Sequence, residues 1–88
     1  MRYTVVWSPD AERELADIWT DAADRQGIAG AANFLDRELA HAPANLGESR
    51  SSGLRIAHFL PLGIRFAILE EDRLVRVLAV WQCRRTEQ

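Results

Sequence analysis

Tyr3-Thr4-Val5-Val6-Trp7-Ser8-Pro9-Asp10-Ala11-Glu12-Arg13-Glu14-Leu15 is the stretch on which the reading of the fold turns. Its first five residues are β-branched or aromatic and predict a strand. Ser8 carries a hydroxyl suited to capping a helix, and Pro9 suits the first helical position. Asp10 and Glu12 then place negative charge near the positive end of a helix dipole. Ala11, Leu15, Ile18, Trp19 and Ala22 recur at helical spacing, giving one apolar stripe with acids on the other face. A strand therefore passes directly into an amphipathic helix. Trp7 at the strand end and Trp19 on the stripe are expected in the core.

Outward from this unit, Gln26-Gly27 is expected to end the first helix. A second helix is predicted from near Ile28, with a stripe of Ile28, Ala31, Ala32, Leu35, Leu39 and Ala42 and with Phe34 beside it. Pro43 stops it, because the residue before a proline disfavours helix. The short turn makes the pair a helical hairpin. Asn45 to Gly53 reads as a polar loop, and three strand-like runs follow. Leu54 to Leu60 is the first, closed by a Pro61-Leu62-Gly63 turn. Ile64 to Glu70 is the second, with Ile64, Phe66 and Ile68 on one face and Arg65, Ala67 and Leu69 on the other. After Glu71-Asp72-Arg73, the run Leu74 to Trp81 is apolar on both faces apart from Arg76, as suits a central strand. The order strand, helix, helix, three-stranded antiparallel meander predicts an α+β two-layer sandwich. The helices should cover one sheet face and leave the other partly open. At 88 residues, one domain spanning residues 1–88 is expected.

The totals exclude several classes of function. No apolar run is long enough to span a membrane. The start Met1-Arg2-Tyr3-Thr4-Val5-Val6-Trp7 lacks the long apolar stretch of a secretory signal, so a cytoplasmic location is expected. The single Cys83 can form no internal disulfide and cannot build a metal site by itself, so neither a metal nor a cofactor is expected. A net charge of −2 lacks the strong positive field of a non-specific nucleic-acid binder. The charge is uneven, however. Residues 10–24 carry six acids against Arg13, whereas residues 50–85 carry seven arginines against Glu70, Glu71 and Asp72. All eleven basic residues are arginine, which suits bidentate contact with carboxylate or phosphate and excludes a lysine as general acid or base.

Four stretches together resemble the RelE/ParE superfamily of toxins, the protein half of bacterial type II toxin–antitoxin pairs. They are Val5 to Leu15, Gly53-Leu54-Arg55, the Pro61-Leu62-Gly63-Ile64-Arg65 corner, and Val77-Leu78-Ala79-Val80-Trp81 with Arg84-Arg85 after it. The resemblance runs nearly the length of the chain in the right order, and it implies the strand–helix–helix–meander fold. It also implies one of two activities. RelE-like members are ribosome-dependent endoribonucleases that cut messenger RNA; ParE-like members, of the plasmid-stabilisation type, poison DNA gyrase. In the nuclease branch, basic residues on the open sheet face hold the scissile phosphate and activate the ribose hydroxyl. On the corner's register, Arg65 falls on a phosphate-stabilising arginine of that branch. Its two catalytic lysines fall on Ile56 and His58, and its second arginine falls on or beside Cys83, with Arg84 next to it. The tyrosine that stacks on the base would lie beyond Gln88.

The depleted catalytic set favours the ParE-like reading, a toxin that acts by binding and is neutralised by a cognate antitoxin in a hetero-oligomer. The first alternative is a RelE-like nuclease that uses Arg65, His58 and Arg84. The second is a degenerate, non-toxic binding module. The residues expected to contact antitoxin or target are Arg50, Arg55, Arg65, Arg76, Trp81, Arg84 and Arg85. Trp and Arg are enriched at interaction hot spots. Several have a plainer reading as well: Trp81 as core, and Arg50, Arg55 and Arg76 as solvated or paired with Glu48, Glu70 and Glu71. His58 has no acid near it in sequence to orient its ring, and the acids of the first helix read as a solvated face.

Overall fold

The computed structural model describes residues 2–50 and 53–83. Strand β1 (Thr4–Trp7) leads into helix α1 (Pro9–Asp21), and helix α2 (Arg25–His41) follows. A 3-10 turn (Pro43–Asn45) precedes the short strand β2 (Glu48–Ser49). Strands β3 (Leu54–Phe59) and β4 (Leu62–Leu69), a second 3-10 turn (Glu70–Asp72) and strand β5 (Leu74–Gln82) complete the order. The sheet runs β1-β5-β4-β3-β2. β1 lies parallel to β5, and every other neighbouring pair is antiparallel. The expected α+β sandwich is thus present, with β2 as an addition to it. No helix among the described residues is long and apolar enough to cross a membrane.

The helix starts follow side-chain chemistry. The Ser8 hydroxyl accepts from the Ala11 N–H at 3.1 Å and caps α1. The hairpin turn lies earlier than the sequence suggests, because Asp24 caps α2 by accepting from the Gly27 N–H at 3.0 Å. Gln26 and Gly27 therefore lie in the first turn of α2. Arg25 donates to the carbonyls of Trp19 (3.0 Å) and Thr20 (3.1 Å), satisfying groups that the end of α1 leaves without helical partners.

Two meander boundaries also move. The strand before the corner ends at Phe59, and Leu62 already belongs to β4, where it is fully buried beside Ile64 and Phe66. Placing Leu62 in the strand keeps it in phase with that inward set. The polar loop contains β2, whose residues pair with Ile56 and Arg55. Before it, Gly47 sits at φ +71°, and a Cβ there would overlap the Ile56 carbonyl, so the approach to β3 needs glycine.

The core is apolar throughout. Ile28, Ala31, Leu35 and Leu39 of α2 meet Ala57, Leu62, Ile64, Phe66, Val75, Val77 and Val80 of the sheet. No described polar or charged residue is buried. Trp7 packs against this core as expected. Trp19 does not: it is 42% exposed. Adjacent helical residues point about 100° apart, so Ile18 turns toward the sheet while Trp19 faces a groove between the helices. At the far end of β1, Tyr3 donates its hydroxyl to Glu70 at 2.7 Å, and Arg73 lies over its ring at 4.3 Å. That hydrogen bond, with partial desolvation and the Glu70 charge behind it, raises the phenol above its usual 10.0, while Arg73 acts in the opposite direction.

One acid of α1 departs from the expected solvated face. β1 pairs with β5 only as far as Trp7, after which the Ser8 N–H donates to Val77 and the chain turns into α1. Farther along β5, the Val80 N–H donates instead to the Glu14 carboxylate at 3.0 Å. Replacing Glu14 by Ala leaves that N–H unpaired and is expected to destabilise the fold by about 1–3 kcal/mol. Glu14→Gln, which keeps an acceptor, should recover most of the loss. Urea unfolding midpoints measure both.

Candidate functional site

The face of the sheet opposite the helices is built by strand register. His58 of β3 pairs with Gly63 of β4, and Gly63 pairs with Trp81 of β5, so these three form one cross-strand row. Glu48, Ile56, Arg65 and Ala79 form the next. Leu54, Ala67, Arg76 and Val6 form the third, running out to β1. The register shifts between Arg65 and Phe66, where Ala79 and Val77 are the respective partners and Leu78 is the extra residue. This bulge changes the phase of β5. Val75 and Val77 point into the core before it and Val80 after it, which turns Ala79 and Trp81 onto the face that carries Arg65.

The Trp81 position depends on Gly63. A Cβ built on Gly63 would lie 2.5 Å from the Trp81 indole nitrogen and 2.9 Å from His58. Because glycine leaves that space empty, His58 and Trp81 close over it with ring centroids 6.0 Å apart, edge to face. Trp81 is thereby half-buried on the open face; it is not part of the core.

The charges differ in how they are held. Arg65 and Arg76 are exposed, and neither pairs with an acid among the described residues. Arg50 lies just past β2 and pairs with Glu48 at 3.1 Å. Arg55 lies in the phase of the other sheet face, opposite Phe66. Its guanidinium donates to the carbonyls of Leu46 (3.1 Å) and Gly47 (3.0 Å), so it fastens the loop before β2. Arg84 and Arg85 lie outside the described residues. The structure thus brings Arg65, Arg76, Trp81 and His58 onto one face and sets Arg50 and Arg55 apart from them.

His58 and Arg65 occupy adjacent rows, a diagonal that long side chains can span. Folding also brings an acid near His58 that sequence distance hid. Glu48 lines a cavity of about 290 Å³ together with His58 and Ile56. Its carboxylate is turned to Arg50, and no hydrogen bond joins it to His58. Cys83 is half-buried with a free thiol, and its N–H donates to the Pro61 carbonyl at 2.7 Å. Among the described residues there is no grouping of His, Cys, Asp and Glu that could hold a metal ion. The face therefore offers two free guanidiniums and the Trp81–His58 aromatic pair, with its one acid in these rows, Glu48, turned to Arg50 at the β2 edge. That arrangement suits binding an anionic partner.

A second feature, for which the sequence offers no signal, is a groove of about 460 Å³ between the helices. Trp7, Leu15, Ala16, Trp19 and Ala32 line it, and Glu12 and Asp36 stand at its rim. The Trp7 indole donates to Asp36 at 3.1 Å.

This architecture is that of toxins from bacterial and archaeal toxin–antitoxin pairs. A chain of the RelBE2 toxin–antitoxin complex of Mycobacterium tuberculosis superposes with a TM-score of 0.77 at 22% identity, covering 93% of this chain and 99% of that one. A chain of the chromosomal ParDE system of P. aeruginosa gives a TM-score of 0.67 at 14% identity, covering 93% and 97%. A mutant of the E. coli toxin RelE in the free state gives 0.69 at 14%, covering 93% and 84%. No curated protein sequence matches the chain. The family model for the ParE toxin of type II toxin–antitoxin systems matches residues 5–87, and the chain belongs to that family.

If Gly63 is the space in which the aromatic notch forms, Gly63→Ala displaces the Trp81 ring. The expected result is a shifted Trp81 indole N–H resonance, with those of Trp7 and Trp19 unmoved, and a stability loss of about 1–3 kcal/mol on urea unfolding.

Proposed function

We propose that this toxin acts by binding, that its cellular target is DNA gyrase, and that a cognate antitoxin neutralises it in the cytoplasm. Membership of the ParE family supports this reading. The observation that carries it is Ile56, an aliphatic side chain paired directly with Arg65 on the open face. A phosphodiester-cleaving site needs groups that move protons beside the cation that holds the phosphate. Here the cation has an apolar neighbour on β3 and alanine on β5. Arg65, Arg76 and Trp81 then serve as contact groups, with the Trp81 ring and the guanidiniums supplying affinity where water is excluded. An antitoxin as partner is supported by structures of similar fold that come from toxin–antitoxin complexes.

One observation favours ribosome-dependent cleavage of messenger RNA as a second reading: His58 and Arg65 share a face in adjacent rows. Inducible expression without an antitoxin separates the two. The gyrase reading predicts growth arrest with altered plasmid supercoiling and intact messages. Rapid message cleavage with normal supercoiling, abolished by Ala at both Arg65 and His58, establishes the nuclease instead. Growth unaffected by expression rejects both.

A further inference from the structure

The seam between β4 and β5 on the open face is a shallow furrow. Ala79 and Ala67 floor it, and Gly63 lies buried beneath Trp81 and His58 at one end. Larger side chains stand along it at a regular interval. Trp81 closes one end across Gly63, Arg65 stands opposite Ala79 in the next row, and Arg76 stands opposite Ala67 in the row after that. Successive residues on one face of a strand are about 6.6 Å apart, so an apolar notch and two cations follow one another at roughly that repeat. Neither cation has an acidic partner among the described residues.

An extended peptide has the same repeat, since its side chains at i, i+2 and i+4 point to one side. We infer that the furrow recognises an extended acidic segment of a protein partner, with an apolar side chain seated against the Trp81–His58 edge and carboxylates two and four residues away held by Arg65 and Arg76. The inference rests on the open face being the interaction surface, and adds to it the chemistry and spacing of what binds. Carboxylates suit these cations because the guanidinium fork takes a carboxylate bidentately. A single-stranded nucleic acid is the less favoured occupant. Its affinity derives mainly from phosphate neutralisation, which a net charge of −2 over the whole chain opposes. The Trp81 ring also packs against His58 at an interplanar angle of 73°, so part of its surface is already taken.

The test is fluorescence anisotropy of the purified full chain with two labelled peptides of identical composition. One has a Leu-Thr-Glu-Thr-Glu core, with both acids in phase with the leucine; the other has Leu-Glu-Thr-Glu-Thr, with both acids out of phase. The in-phase peptide should bind about tenfold tighter or better, which is about 1.4 kcal/mol. Arg65→Ala and Arg76→Ala should each remove most of that preference, and Arg65→Lys should restore only part of it. Circular dichroism checks that the variants remain folded. Equal binding of the two peptides, or a preference that survives both alanine variants, overturns the inference. Tighter binding of an oligouridine, lost in the same variants, overturns it in favour of nucleic acid. Growth arrest by the same variants is a separate readout. If the peptides are not distinguished but arrest is lost, the open-face reading stands and the proposed spacing fails. If the peptides are distinguished and arrest is unchanged, the furrow binds as inferred but is not the surface of toxicity.

Discussion

The parallel pairing of β1 with β5 is the constraint on which the rest of the molecule depends. It joins the first strand to the last, and parallel neighbours can be joined only through a crossover. In this chain that crossover begins with both helices, and they pack on one side of the sheet. All of the fully buried side chains of α2 are apolar and face that side. With the helices spent on one face, nothing among the described elements covers the other. The open face is therefore a consequence of the topology. Because β1 stops at Trp7, the adjoining length of β5 also needs a substitute partner, which Glu14 supplies.

The bulge in β5 is the second determinant. A strand without it would alternate strictly, and Val77 and Val80 could not both be buried. With it, the core receives both valines and Trp81 emerges beside Gly63, in the row next to Arg65. Core packing and site geometry thus share one local irregularity. The arginines obey a related constraint. A core with no buried polar residue keeps guanidiniums at its edge: among the described arginines, Arg50 is ion-paired, Arg55 is fastened to backbone carbonyls, Arg73 lies over the Tyr3 ring, and Arg65 and Arg76 are solvated. Only the solvated ones are free for a partner, and on the open face those are Arg65 and Arg76.

The features legible in the sequence are those whose signals are local. Ser8 and Pro9 announced α1 because capping is decided within a turn of the helix. The alternation of β4 placed Arg65 outward because Ile64 and Phe66 flank it. β2 was hidden because two polar residues carry no periodicity, and their strand pairing depends on Gly47 approaching β3 and on Arg55 holding the loop. The fate of Arg55 was hidden because its acceptors are carbonyls, which composition does not display. In β5, Leu74 to Trp81 is apolar on both faces, so the pattern gives no phase and cannot reveal a bulge. The exposure of Trp19 followed from a turn of about 100° past Ile18, too small a difference for a stripe of spaced residues to resolve.

On the proposed function, this toxin meets its target through the open sheet face. Hydroxyl-radical footprinting of the chain, alone and with purified DNA gyrase, tests it directly, because Trp19 and Trp81 report the helical side and the open face within one molecule. Gyrase should protect Trp81 and leave Trp19 as reactive as in the free chain. Protection of Trp19 with Trp81 unchanged, or no protection of either, would contradict the claim.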